Sequence, residues 1–490
     1  MQSPLLSPLK SPPPSERHHV VLAEQPPATA AANGNGAPPG GALGAGAVPL
    51  SRAIERRTLR RGMTAATFEG LHNGLASMST YVAIKGMGQG FERWEELIST
   101  LMQMLPSVLM AFALVWSAGR RARKHRGYWL FVAVFGRLAL FSVALFANPF
   151  LFVALVAYQS IVGSGIAPGL NHIWGANLSQ ASRGRVFTWI SIAAEIATMA
   201  GALIAGVILD GLHFDGMGLS IHTDGEARNY VYVYPAAALI GFAAMMTYWR
   251  IRIRFAPASV ASHEAPRLSQ RLKHAWQIAA GLMKRDPDFR LYELGFFLYG
   301  SAFMMTSAVV PLFFKNALQA TYKDFSLATV VLVQVMHLLA APLIARYASK
   351  RRVTVVTRVP FVMLMGYPVL LTVTALVARE NREAAIPLVY AAFALFGVAM
   401  ALIHFVWSLG PVAFARGQDS LPYTSTHAAL VGFRASIGFP VAFVLMQIFP
   451  DEPLPIFGLS FVLFFCGAVA MTVLDRRLKA RAPGGYSMTG

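Results

Sequence analysis

The apolar residues of the chain lie in long blocks separated by short polar segments. Leu130 to Phe150, Phe187 to Leu209 and Leu454 to Leu474 each reach the roughly 20 residues that an α-helix needs to cross about 30 Å of hydrocarbon. Helices are the expected spanning form, because every backbone N–H and C=O in lipid must be hydrogen-bonded within its own segment. The pattern therefore predicts an all-α membrane protein.

Twelve candidate spans follow from this pattern, in two groups of six. They cover residues 63–86, 96–118, 128–147, 150–174, 187–209, 230–249, 290–314, 325–346, 353–377, 385–410, 423–449 and 454–474. The sequence thus predicts a first six-helix bundle over 61–250 and a second over 289–476. The polar, basic segment 251–288 separates them, and its Arg267 to Lys284 portion has apolar residues at helical spacing, which predicts a helix on the membrane surface.

Composition supports the membrane assignment and fixes an orientation. The chain of 490 residues is 55% hydrophobic and 13% charged, and its mean hydropathy is +0.51. The net charge of +19 comes from basic clusters in the loops on the side that holds the N-terminus, and this distribution is typical of cytoplasmic loops. We therefore expect both termini in the cytoplasm of a cell with the chain in its inner (plasma) membrane, and no nucleic-acid partner.

The two ends of the chain are predicted to be tails. Residues 1–60 combine a Pro-, Ala-, Gly- and Ser-rich stretch with a basic run, Arg52 to Arg61, and are predicted to be disordered, because such a composition buries too little apolar surface. Residues 477–490 form the C-terminal tail. Residues 1–50 show no continuous apolar stretch of the kind found in a cleavable signal peptide.

Charged residues inside the predicted spans are the most informative chemistry. A charge at the bilayer centre costs roughly 2.5–3.5 kcal/mol on insertion scales, so Glu69, Arg137, Glu195 and Arg434 are expected to face a cavity or one another. Glu69 and His72 stand three residues apart and so share one helix face. They are candidates for proton coupling, with a structural hydrogen bond as the alternative reading.

Other polar residues inside the predicted spans are also expected to face a cavity or one another. Gln334 and His337 are three apart in one span, as are His404 and Trp407 in another, and all four are candidates for substrate contact. The alternative for a single histidine is a helix–helix hydrogen bond. Glu293 occupies a place similar to that of Glu69, but near the predicted cytoplasmic surface, where solvation is expected.

Basic and small residues recur at matching places in the two halves. Between spans 2 and 3 stands Gly119-Arg-Arg-Ala-Arg-Lys124, and between spans 8 and 9 stands Arg346-Tyr-Ala-Ser-Lys-Arg-Arg352. Span 4 ends in Gly163-Ser-Gly-Ile-Ala-Pro-Gly169, after which Arg183 and Arg185 precede span 5. With the layout of six plus six spans, these motifs resemble the major facilitator superfamily over residues 60 to 480. Both loops lack the acidic member of the family's loop motif.

The resemblance implies two pseudo-symmetric six-helix bundles around a central cavity, and basic residues at a cytoplasmic gate. The gate candidates are Gly119, Arg120, Arg121, Arg123, Lys124, Arg183, Arg185, Arg346, Lys350 and Arg351. It also makes spans 5 and 11 partners flanking the cavity, so Glu195 and Arg434 are expected to pair or to bind a zwitterionic or anionic substrate together.

The predicted function is secondary active transport of a small solute by alternating access, with H⁺ as the favoured coupling ion and a monomer as the expected state. Facilitative uniport stays open. Enzymatic motifs such as a phosphate-binding loop, His-Glu-x-x-His and Gly-x-Ser-x-Gly are missing from the sequence, as are cysteine-based metal sites, because Cys466 is the one cysteine. No cofactor or metal is expected. A receptor or scaffold that no longer transports is the first alternative, and an integral membrane enzyme the second.

Overall fold

The computed structural model describes most of the chain between residues 52 and 481. The described ranges are 52–88, 90–117, 125–145, 148–163, 166, 170, 173–174, 177–178, 180–211, 213–216, 219–222, 229–252, 268–348, 351–415 and 421–481.

The first half of the described chain contains six helical segments. They are α1, Arg52–Ala76, followed by Ser79–Tyr81 and a π-helical turn, Val82–Gly86; α2, Glu95–Ser117; α3, which runs from His125–Phe131 through a π-helical turn, Val132–Arg137, into a 3₁₀ segment, Leu138–Ala144; α4, Pro149–Gly163; α5, Gln180–Asp210; and α6, Tyr230–Trp249. We call these six the N bundle.

The second half contains one helix between the bundles and six further segments. They are α7, Leu268–Arg285; α8, Pro287–Asn316; α9, which runs from Tyr322–Ser326 through a π-helical turn, Leu327–Leu332, into Val333–Ala348; α10, Val353–Glu380; α11, Arg382–Phe414; α12, Leu421–Ile448; and α13, Leu454–Arg481. Segments α8–α13 form the C bundle, and α7 lies at the place predicted for the surface helix.

Each predicted span overlaps one of α1–α6 or α8–α13, although span 150–174 extends past the end of α4 at Gly163. Within the described ranges, nine helices are long and apolar enough to cross a membrane, and α4 is apolar but shorter. Several helices contain an internal proline, such as Pro311 in α8 and Pro440 in α12. Membrane helices tolerate proline because neighbouring helices and local π adjustments satisfy the freed backbone groups.

Two boundaries differ from the sequence prediction. Helix α1 begins at Arg52, inside the segment 1–60 predicted to be a disordered tail, because no glycine or proline interrupts residues 52–61 and Thr58 is buried beside Asn177. Helix α13 continues to Arg481, five residues into the predicted C-terminal tail. Residues 1–51 and 482–490 lie outside the described residues.

A short β-hairpin interrupts the otherwise helical fold, in the loop between α5 and α6 for which no strand was predicted. Strands β1, His213–Gly216, and β2, Leu219–His222, pair antiparallel, with His213 opposite His222 and Gly216 opposite Leu219. The alternation is too short to stand out in a sequence dominated by helical periodicity.

The crossing of α1 and α5 depends on glycine. A Cβ atom added at Gly70 would lie 2.2 Å from the carbonyl oxygen of Ala194, and one at Gly74 would lie 2.2 Å from that of Thr198. Both contacts are with backbone, which cannot rotate away. Glycine therefore allows these two backbones to touch, as small residues do at close membrane helix crossings.

Candidate functional site

At one end of the molecule, the two bundles are joined by hydrogen bonds and an ion pair. This latched end is where α1, α5 and α8 end and where α2 and α9 begin. Within the described part of the chain, the side-chain hydrogen bonds and ion pairs seen between the bundles lie here.

The central contact of the latched end is a helix cap made between bundles. Asp210, the last residue of α5, accepts hydrogen bonds from the backbone N–H groups of Tyr322 and Lys323, both at 2.7 Å. These groups belong to the first turn of α9, whose N–H groups have no partner within the helix. A carboxylate at this position also interacts favourably with the helix dipole, so the N bundle caps a C-bundle helix.

Around this cap, donors of one bundle reach backbone carbonyls of the other. The hydroxyl of Tyr81 and the ammonium of Lys85 donate to the Ala320 carbonyl at 2.6 and 2.9 Å, and Tyr81 stacks on Phe325 with ring centroids 4.3 Å apart. Two serines complete the pattern: Ser99 donates to Ala308 and Ser326 donates to Ala202, both at 2.7 Å.

An ion pair adds a further contact between the bundles at the latched end. The ammonium of Lys315, near the end of α8, pairs with the carboxylate of Glu95, at the start of α2. Glu95 is buried, whereas Lys315 is partly exposed.

The N bundle contains a buried charged cluster formed by α1, α3 and α6. Arg137, at the end of the π-helical turn of α3, pairs with Glu69 and donates to Nε2 of His72 at 2.7 Å. Nδ1 of His72 lies 2.8 Å from the carbonyl oxygen of Ala237 on α6. The side chains of Arg137 and Glu69 are only 11% and 15% exposed, so this N-cluster is cut off from bulk water.

The bonds of the N-cluster define its protonation. A carbonyl oxygen only accepts and a guanidinium only donates, so Nδ1 of His72 carries the proton and Nε2 presents its lone pair to Arg137. His72 is therefore neutral, and Arg137 balances the charge of Glu69. Gly241 leaves room for this arrangement, since a Cβ there would lie 2.7 Å from Nδ1 of His72.

The C bundle contains a second buried cluster, the C-cluster, formed by Glu293 of α8 and by His427 and Arg434 of α12. Nδ1 of His427 lies 2.9 and 3.0 Å from the two carboxylate oxygens of Glu293, and the two side chains are 2% and 1% exposed. Arg434, two turns further along α12, donates to the Phe296 carbonyl at 3.0 Å. Glu293, expected to be solvated, is instead enclosed, because aromatic rings of α8 and α11 surround the pair.

A set of predicted residues lies on α9, which packs against α5 of the N bundle, and on α11, which packs against α9. The rings of His337 on α9 and His404 on α11 have centroids 5.0 Å apart. Gln334 lies one turn before His337, and Trp407, three residues after His404, packs its ring 5.5 Å from that of His427. Trp407 thus contacts the C-cluster and lies one helix turn from His404.

Glu195 stands apart from these clusters. It is half-buried in the middle of α5, and its Oε2 atom has no hydrogen-bond partner among the described residues. Glu195 is seven residues from Ala202 and so lies on the same helix face, the face that meets Ser326 of the C bundle. Its carboxylate is therefore placed on the side of α5 that faces the other bundle.

Comparison with known proteins decides the family. The family model of the Major Facilitator Superfamily matches residues 70–422, which is most of the chain. The chain belongs to the Major Facilitator Superfamily. This membership makes it a multi-pass membrane protein and indicates a secondary transporter rather than an enzyme.

Solved structures of this superfamily share the fold at low sequence identity. The nucleoside transporter NupG is 12% identical, with a TM-score of 0.57 over 87% of this chain and 99% of its own. The D-xylose-proton symporter is 13% identical, with a TM-score of 0.56 over 86% and 97%. A bacterial homologue of the human lysosomal transporter Spinster is 13% identical, with a TM-score of 0.51 over 88% and 96%. A search of curated protein sequences gave no match.

The structure of this superfamily member brings together some of the predicted site residues and separates others. Glu69, His72 and Arg137 form one cluster, and His337 and His404 form a pair. Glu195 and Arg434 do not form an ion pair, because the guanidinium of Arg434 points at α8 of its own bundle, bonding Phe296 and lying 6.0 Å from the Tyr299 ring. Joint binding of a substrate by these two residues stays a prediction.

The predicted gate residues are only partly covered by the structure. Gly119, Arg120, Arg121, Arg123, Lys124 and Lys350 lie outside the described residues, and Arg183 and Arg185 are described only as positions in the first turns of α5. Arg346 is exposed near the end of α9, and the guanidinium of Arg351 lies 5.8 Å from the Tyr347 ring. The gate role of these residues stays a prediction.

Sequence reasoning missed several residues that make these contacts, among them Lys85, His427 and Asp210. Lys85 was the clearest signal, since it is a charge inside a predicted span. His427 occurs in a glycine-containing span beside Arg434, but its partner Glu293 is distant in sequence. Asp210 ends a span and was indistinguishable from an ordinary loop carboxylate, because its role depends on a helix 112 residues later.

Proposed function

We propose that this superfamily member moves a small solute across the membrane by alternating access, in which the N and C bundles rock about a site at their junction. The observation that carries the proposal is the latched end. Side chains of each bundle close one end of the junction through contacts that can be broken and remade as units, namely a helix cap, an ion pair and single hydrogen bonds. Alternating access requires a gate of this kind to close one end of the junction and then the other.

The predicted orientation assigns this gate to the outside. With both termini in the cytoplasm of a cell and the chain in its inner (plasma) membrane, α1, α5 and α8 end at the outer face, so the latched state is closed outwards. Residues 61–250 and 289–476 serve as the two moving bodies, and 251–288 connects them. We propose that the chain acts as a monomer.

The proposed substrate contacts are Glu195, Gln334, His337, His404 and Trp407. They combine one carboxylate, one amide, two imidazoles and an indole, on helices that meet at the junction. An amide and imidazoles can bond hydroxyl and carbonyl groups, and an indole can stack on a ring or on the apolar face of a sugar. The nucleoside and xylose transporters of the same fold make nucleosides and pentoses the first solutes to test, with proton coupling as the proposed energy source.

A screen followed by transport tests the function. The purified protein is first heated with a library of nucleosides, sugars, amino acids and organic anions, because a solute that binds the native state alone raises the melting temperature. Each hit is then offered to proteoliposomes with and without an inward pH gradient. Uptake above protein-free liposomes supports a transporter, and accumulation that requires the gradient supports proton coupling. Binding without uptake would support a receptor instead.

A latch variant sharpens this test. Asp210→Asn keeps the shape of the cap but removes its charge, so the closed state is expected to weaken and the accessibility of a cysteine introduced at the junction to rise. Asp451→Asn, at an exposed loop position of the same end, is the matched control. Equal accessibility in both variants would contradict the gate assignment.

A further inference from the structure

The two buried histidines differ in what their second nitrogen can do. In the N-cluster both nitrogens of His72 are engaged, Nδ1 with the Ala237 carbonyl and Nε2 with the guanidinium of Arg137. A proton placed on Nε2 would face a guanidinium, which donates hydrogen bonds and cannot accept one. His72 can be protonated only by breaking its contact with Arg137.

His427 has no such restriction. Its Nδ1 faces the carboxylate of Glu293, while its Nε2 is buried and has no hydrogen-bond partner among the described residues. A proton on Nε2 would give an imidazolium in direct contact with a carboxylate, which is a charge-assisted hydrogen bond. Without that proton, Glu293 keeps a neutral imidazole donor. Both states satisfy the Nδ1 contact, so the pair can gain or lose one proton in place.

The surroundings of His427 supply little else that titrates. On α8 the nearest groups are the Tyr292 and Phe296 rings, at 6.3 and 4.9 Å. On α11 the nearest group is the Trp407 ring, at 5.5 Å. On α12 itself, Arg434 lies two turns away and Tyr423 one turn away, bonded to Asp286. The carboxylates of α2, Glu95 and Glu96, lie at the latched end, far from His427. Helix α7 packs near the start of α12, the end that contains His427, and its basic residues Lys273, Lys284 and Arg285 are exposed.

We propose that His427 and Glu293 form the proton-binding site of this protein, with the proton carried on Nε2 of His427, and that the N-cluster is a fixed structural element. The inference rests on the proposed proton-coupled transport for its role in the cycle, but proton binding itself is measurable without a substrate. Trp407 packs its ring 5.5 Å from that of His427 and lies one helix turn from His404, so movement of its indole ring would open a route from the His337–His404 pair to Nε2.

The test uses Trp407 as the reporter, because a protonated imidazole quenches the fluorescence of an indole in contact with it. The full chain is reconstituted in lipid nanodiscs, and emission is recorded between about pH 5 and pH 8, the range in which imidazoles titrate. Subtracting the signal of the Trp407→Phe protein isolates the emission of Trp407. We expect this emission to fall reversibly on acidification in the unsubstituted protein.

Substitutions then assign the proton. His427→Gln is expected to abolish the fall in Trp407 emission. Glu293→Gln keeps a hydrogen-bonding group but removes the charge that stabilises the imidazolium, so it is expected to reduce the fall at least twofold. His72→Gln and His404→Gln are the matched controls and should preserve it. If His427→Gln fails to fold, the Glu293→Gln and His404→Gln titrations still decide the assignment.

The contrary outcomes are distinct. No fall in the unsubstituted protein, or the same fall in Glu293→Gln, would overturn the proton site while leaving transport of a solute untouched. Loss of the fall in His404→Gln would move the proton to the His337–His404 pair. Failure of every library solute to bind or cross would overturn the proposed function but leave the titration result in place.

Discussion

The N-cluster and the C-cluster contain the same three residue types in different arrangements. In the N bundle the guanidinium of Arg137 contacts both the carboxylate and the imidazole. In the C bundle the imidazole of His427 contacts the carboxylate alone, and Arg434 bonds a carbonyl instead. A buried carboxylate held by a permanent cation keeps one charge state, whereas one held by an imidazole can change. The comparison shows that the chemistry of a buried cluster is set by which donor reaches the carboxylate.

The largest effect is expected from removing the cation of the N-cluster. Arg137→Met leaves Glu69 buried without its partner, and breaking a buried ion pair in this way costs about 3–5 kcal/mol of the free energy of unfolding. Thermal unfolding of the purified protein in detergent, followed by the loss of the monodisperse peak, measures the change. The double variant Glu69→Gln with Arg137→Met should recover much of the loss, and no recovery would show that packing, not charge, dominates.

A steric change at the same cluster is expected to be smaller. The Cβ atom of Gly241→Ala would meet the His72 ring at 2.7 Å and Cδ of Arg137 at 3.0 Å, and overpacking of this kind costs roughly 1–3 kcal/mol. Gly458→Ala is the control, because nothing lies within 4 Å of a Cβ at that position of α13. The same melting assay should separate the two variants; equal melting temperatures would argue that the cluster can relax.

The C-cluster should tolerate loss of its charge better than the N-cluster does. Glu293→Gln keeps an acceptor for Nδ1 of His427, which can stay neutral, so we expect a loss of about 1 kcal/mol, similar to that of one hydrogen bond. Glu69→Gln, by contrast, leaves the permanent charge of Arg137 unbalanced and should melt at a clearly lower temperature. The reverse order would contradict the distinction between the two clusters.

The smallest effect is expected from an exposed ion pair. Arg379 and Glu452 are paired at the latched end with side chains 54% and 35% exposed, and surface pairs contribute about 0–1 kcal/mol. Arg379→Gln should therefore leave the melting temperature nearly unchanged in high salt. A loss as large as that of Arg137→Met would mean that exposure is a poor guide to the energetics of charges in this fold.

The fold could be predicted further than the site. Hydrophobic blocks locate the helices because a bilayer imposes a minimum length, and this requirement is local in sequence. The shared helix face of Glu69 and His72 was also predictable, because the two residues stand three apart on one helix. Arg434 shows the limit, since its orientation toward Phe296 rather than toward Glu195 depends on the rotation of α12 about its axis, which residue spacing within one helix does not determine.

Backbone carbonyls provide most of the acceptors at the latched end, and this has a consequence for mutation. Ala320, Ala308 and Ala202 contribute only their main-chain oxygens, so replacing them by other small residues keeps the acceptors in place. Substitution of a donor removes the hydrogen bond, because the donating atom belongs to a side chain. These donors are Tyr81, Lys85, Ser99 and Ser326. Sequence drift should therefore be uneven at the latched end: related chains can vary at the accepting alanines while the donating side chains stay under selection.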